Sequence, residues 1–223
     1  MTQTLQIRPS FTAFRRALRD YLARGKWRSR KAIVDCDGLR EFLESRANFV
    51  AQTSLYGYLR TRAGMRYPEL FADDRYVRSI NIAKWHVWLA CLADLAVHAG
   101  GLLTRRSGAP PAEAGQLIVQ ITESILSTTG VPADAGPEFA AHAQRVRARL
   151  ALCDWTTVDD GEAAFCDSPE ALVQWAPIID ELKQLDAEIV RNSVRFRWQE
   201  VRRDLRATLR ADAVLGSAFR SSV

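Results

Sequence analysis

Apolar residues recur at intervals of three and four in segment after segment of this chain, and nowhere do they alternate with polar ones. Such intervals gather the apolar set on one side of an α-helix, whereas alternation is what a half-buried strand requires. The chain is therefore expected to be all-α, a helical bundle of about six to seven helices with a long C-terminal helix. Its 223 residues are 48% hydrophobic, enough for a sizeable core, and disorder is not expected.

Capping residues and breakers divide the pattern. Ser10 is a good N-cap for a first helix reaching about residue 24, with Phe11, Phe14, Leu18, Tyr21 and Leu22 on one stripe. Gly25 ends it, and a basic connector follows at 26–31. Asp37 caps a second helix from about 38 to 63. Phe42, Phe49, Tyr56 and Leu59 keep one face of it, widened by Leu39 and Leu43. Asp73 or Asp74 caps a third helix, reaching about 99, where Gly100 and Gly101 end it. Pro110-Pro111 starts a fourth, to about 128. Pro137 opens a short fifth whose Phe139, Ala143, Val146 and Leu150 share a face. Residues 153–167 are acidic and irregular. Ser168-Pro169-Glu170 opens another helix, and Pro177 kinks or restarts it. From 178 no breaker appears until about 215, a run of roughly 50 Å at 1.5 Å per residue. Ile178, Leu182, Leu185, Ile189 and Phe196 mark one stripe on it; Val190, Val194, Trp198, Val201 and Leu205 mark another, read as adjacent. The organisation expected is a basic N-terminal helix and connector (1–36), a central core (37–152), the acidic loop (153–167) and a long C-terminal segment (168–223), together one domain.

The longest apolar stretch, 85–103, approaches bilayer-spanning length. It contains His86, Asp94 and His98, and a central Asp costs about 3 kcal/mol on insertion scales. A buried core helix at the centre of the bundle is the expectation. The start has no apolar run of signal-peptide length, so export is not expected. Cys36, Cys91, Cys153 and Cys166 form no C-x-x-C pair. Reduced thiols in a cytoplasmic protein are the simplest reading.

The net charge of +5 conceals blocks. Residues 1–66 carry 14 Lys and Arg against 5 Asp and Glu; residues 135–190 carry 4 against 11; residues 191–223 carry 8 against 3. Both ends are basic and the third quarter is acidic. Basic ends can hold an anionic partner or neutralise the acidic block within the fold or a dimer. The candidates for anion or partner binding are Arg15, Arg16, Arg19, Lys26, Arg28, Arg30 and Lys31 near the start, and Arg195, Arg197, Arg202 and Arg203 near the end. Aromatic residues interleaved with the first group suit nucleic acid or, less well, an anionic membrane surface.

Lys84, Trp88, Cys91, Asp94 and His98 follow spacings of four, three, three and four, which places them along one face of the third helix. Asp94 and His98 are i, i+4 neighbours, so the carboxylate can orient the imidazole, with Cys91 a turn earlier as a nucleophile or ligand. Lys84, Cys91, Asp94 and His98 are thus a possible polar cluster. The simpler reading is a buried Asp provided with partners. His86 and His142 lack zinc spacing, and the acidic loop lacks calcium-loop spacing. No phosphate-binding glycine motif and no G-x-S-x-G occurs. No catalytic residue, metal or cofactor is assigned.

The segment Phe49-Val50-Ala51-Gln52-Thr53-Ser54-Leu55-Tyr56 superficially resembles the DNA-reading helix of tetracycline-repressor-type regulators, as do the length and all-α character of the chain. Residues 37–63, however, read as one uninterrupted helix with no turn before that segment, and the gap back to the first helix is too long. Membership is not assigned. Three functional readings remain: a non-enzymatic helical adaptor or assembly factor that binds a protein partner or itself, a nucleic-acid-binding regulator using the basic N-terminal region, and an enzyme or small-ligand binder with a pocket near Cys91, Asp94 and His98.

Overall fold

The computed structural model describes residues 31–220, with side chains to 218. The expected N-terminal helix, with Arg15, Arg16, Arg19, Lys26, Arg28 and Arg30, lies outside the described residues. From Ala32 onward the chain clusters as one unit. Among the described residues it holds seven α-helices and no strand, an all-α bundle.

Helix α1 is Cys36–Ala63. Its cap is Asp35 rather than the expected Asp37: the Asp35 carboxylate accepts the Gly38 N–H at 2.7 Å. Leu39, Leu43, Val50, Leu55 and Leu59 are buried, while Phe42, Phe49 and Tyr56 pack at the flank. The segment Phe49–Tyr56 runs through the middle of this unbroken helix.

After two 3-10 turns, Gly64–Arg66 and Glu69–Ala72, helix α2 spans Asp74–Arg106. Asp73 caps it by accepting the N–H groups of Arg75 and Tyr76. From His86 to Leu103 this helix is buried on every side, as its apolar composition requires. Its most apolar window has a mean hydropathy of 1.6, and 94% of that window is buried within the fold. Helices α1, α3 (Pro111–Thr129), α4 (Phe139–Ala151), α5 (Asp167–Trp175) and α7 (Ala211–Arg220) pack against it, while α6 (Asp180–Thr208) packs on α5 and α1.

Two boundaries differ from the sequence expectation. Gly100 and Gly101 do not end α2; the helix continues to Arg106. They make a notch instead. A Cβ on Gly100 would lie 2.2 Å from the Trp155 ring, and one on Gly115 of α3 2.3 Å from it. The absent side chains thus let Trp155 of the acidic loop insert between α2 and α3.

The run expected from 178 to 215 is also divided. Helix α6 ends at Thr208, and α7 begins at Ala211. The break has a tertiary cause, not a glycine or proline. Ile33 donates its N–H to the Thr208 carbonyl at 2.9 Å, and Arg210 donates to the Ile33 carbonyl at 3.0 Å. This short parallel bridge takes over backbone groups that would have continued the helix.

Candidate functional site

The four-residue cluster on α2 is taken up by separate partners. Lys84 points to Asp134 of the α3–α4 connection at 3.4 Å and lies over the Trp85 ring. Asp94, fully buried, faces α4 and α5. One of its oxygens accepts Arg149 at 2.6 Å and the Asp167 N–H at 3.1 Å; the other accepts the Ser168 N–H at 2.8 Å. Helix α5 has no side-chain cap of its own. Asp94 supplies one from a neighbouring helix and meets the positive end of the α5 dipole.

Arg149 completes the arrangement. It also donates to Asp167 at 2.7 Å and to the Ala164 carbonyl at 2.8 Å. Asp94, Cys166 and Asp167 offer ligand atoms within 4.8 Å of one another. The guanidinium between the two carboxylates already provides the positive charge that a cation would bring there. Burial raises the Asp94 carboxyl to about 6, with Arg149 and the Ser168 bonds pulling it down.

Cys91 is sealed in the core, and burial raises its thiol well above the ordinary range. A thiol held protonated and away from solvent makes a poor nucleophile. His98 is fully buried beside the Phe165 ring, 5.1 Å between centroids. Neither of its ring nitrogens has a hydrogen-bond partner among the described residues. The nearest carboxylate is Asp160, with 3.7 Å between Nε2 and Oδ1, while Asp94 is committed to α4 and α5. The expected Asp94–His98 dyad is therefore not assembled.

A second polar pair joins α2 and α4. The Nδ1 atoms of His86 and His142 lie 2.8 Å apart, and His86 stacks on Trp175 at 3.5 Å. One imidazole must donate and the other accept, so the pair is bonded with both rings neutral. Burial lowers each to about 4.

The C-terminal arginines divide in two. Arg202 is buried and bonds Glu162 at 3.0 Å; Arg206 bonds Asp160 at 2.8 Å; Arg191 bonds Glu170 at 2.6 Å. These residues neutralise the acidic block inside the fold. Arg197 is half-buried, and burial lowers its guanidinium. Arg195 and Arg203 are exposed, like Lys31. Arg195 bonds Asn192 of its own helix at 3.2 Å.

The feature least expected from the sequence is on α6. Val190, Val194, Trp198, Val201 and Leu205 enter the core. The other stripe does not: Leu185 is 75% exposed, Ile189 74% and Phe196 72%. The same strip begins at Ile179, which borders an open groove of about 650 Å³ lined by Tyr76, Trp175, Pro177 and Lys183. The two stripes were read as adjacent, but Leu185 and Val194 are nine residues apart, as are Ile189 and Trp198. At about 100° per residue they occupy opposite sides.

Fold and surface together define the class, an all-α helical bundle with an apolar strip on an outer helix. No family model, curated protein or solved structure matches the chain. The functional reading therefore rests on these residues.

Proposed function

We propose that this chain is a non-enzymatic helical interaction protein, an adaptor or assembly factor, which docks a protein helix along the outward strip of α6. The observation that carries the reading is the double-sided character of α6: one apolar face fills the core while Leu185, Ile189 and Phe196 face outward. Contiguous exposed apolar strips edged by charge are characteristic of interaction sites. The polar residues of α2 favour the same reading. Asp94 is consumed in capping α5, Cys91 is sealed, and His98 has no hydrogen bond to Asp94 or to any other described residue. Pairing of Arg191, Arg202 and Arg206 with acidic groups of the fold leaves fewer C-terminal arginines to offer an anionic partner. Four unpaired cysteines fit the proposed cytoplasmic location.

Side-chain oxidative footprinting tests the reading whatever the partner is. The full chain is labelled in cell extract, and again after purification and dilution to nanomolar concentration. Met65 and Leu152, exposed at 97% and 85%, serve as internal references. Leu185, Ile189 and Phe196 are expected to react less in extract, relative to these references. Equal relative reactivity under both conditions removes the reading.

A further inference from the structure

Helix α6 has a register to its outward face. Leu182, Leu185, Ile189, Asn192 and Phe196 follow spacings of three, four, three and four. This is the seam of a two-helix coiled coil, with one polar step at Asn192. One edge of the seam carries Glu181 and Glu188 toward the N-terminal end and Arg195 toward the C-terminal end, all exposed. Arg203, also exposed, continues the seam one heptad beyond Phe196. The strip is thus acidic at one end and basic at the other.

From this polarity we infer that the partner is a second copy of this chain, its α6 packed antiparallel against the first. The inference rests on the interaction reading above and names the partner for the same surface. An antiparallel pair centred near residue 191 sets Leu185 against Phe196 of the other copy, twice by symmetry. The same register brings Glu188 alongside Arg195 of the other copy, also twice. Arg203 falls within a turn of the opposite Glu181. In this register Asn192 faces Ile189 of the other copy on either side of the two-fold axis, a single polar step in the seam. A parallel pair keeps an attraction between Arg195 and Glu200 but gives up the match for Glu188. It would set Glu188 against Ser193 and Arg195 against Glu200, and would stack the acidic ends on each other.

The docked helix of a second copy also leaves the inner face undisturbed, because Val194 and Trp198 point the other way. Association therefore needs no refolding of the bundle. Arg191 and Asp186 lie outside the pairing, held by Glu170 and by Arg62 of their own chain.

The test is sedimentation equilibrium of the full chain, with Glu188→Arg, Arg195→Glu and the double exchange. The unsubstituted chain is expected to be a dimer. Each single exchange turns two attractions into two repulsions and is expected to weaken the dimer about tenfold, the double exchange restoring it. All three lie on exposed positions, so urea midpoints measured at nanomolar concentration, where the parent too is dissociated, are expected to stay within error, which separates association from folding. A dimer that the double exchange fails to restore overturns the antiparallel register. A strict monomer overturns the second-copy partner altogether. In that case protection of Leu185 and Phe196 in cell extract keeps the interaction reading with a different partner, and its absence ends both.

Discussion

Arg149 and Asp94 meet at 2.6 Å across the interface of α4 and α2, the carboxylate fully buried and the guanidinium only partly so. The pair joins three helices, because the same carboxylate caps α5 through Asp167 and Ser168. Removing the guanidinium leaves a carboxylate in the core with only the Asp167 N–H and the Ser168 N–H and hydroxyl as donors. Arg149→Met is expected to cost about 3–5 kcal/mol. Urea unfolding followed by circular dichroism measures it, and a loss below about 1 kcal/mol would show that the carboxylate finds water or another cation.

The glycine notch makes a prediction with an unusual sign. Glycine to alanine within a helix ordinarily stabilises by about 1 kcal/mol. At Gly100 the new methyl meets the Trp155 ring, so Gly100→Ala is expected to destabilise by about 1–3 kcal/mol. With Trp155→Ala already in place, the same change is expected to become neutral or stabilising. A double-mutant cycle by urea unfolding reads the reversal. Additive effects would mean that Trp155 does not occupy the notch in solution.

Acid should weaken the fold through its buried histidines. His86, His98 and His142 are each held neutral by burial, with pKa lowered from 6.5 to about 4. Between these values the unfolded chain binds protons that the folded chain refuses, so stability falls as the pH drops from about 6.5 toward 4. Above that window the contribution is complete, and below it no more is lost. Asp94, raised to about 6 from 3.8, acts in the opposite sense and returns part of the loss. A pH series of urea midpoints checks the slope; a flat profile from 7 to 4.5 would contradict it.

His98 separates burial from bonding. Its ring nitrogens lie buried without hydrogen bonds among the described residues. Replacing it with an apolar ring removes that cost, so His98→Phe is expected to be neutral or stabilising at pH 7 and to reduce the acid slope. A loss of 2 kcal/mol or more at pH 7 would reveal a bond that the static structure lacks.

Much of this architecture is legible in the sequence. Asp73, Pro111 and the 139–150 stripe mark real helix boundaries and faces, because local capping and periodicity act over a few residues. The division at 209–210 is not legible, since it depends on Ile33, more than 170 residues away. Nor is the role of Gly100 and Gly101, which is set by Trp155 and Val158 of the acidic loop. Arg149 carries no signal as the partner of Asp94, because only packing of α4 against α2 brings them together. The outward strip of α6 was within reach. The nine-residue spacing between its two stripes places them on opposite sides, and a helix apolar on opposite sides has one face to spare.

That spare face is the central claim, and Leu185→Lys combined with Phe196→Lys tests it most directly. If the strip is a docking surface, the double variant keeps the urea midpoint that the parent shows at nanomolar concentration, where both are dissociated, while losing the parent's association in sedimentation equilibrium at higher concentration. If stability falls by about 3 kcal/mol or more, as for a core truncation, these side chains belong to the interior and the account is wrong.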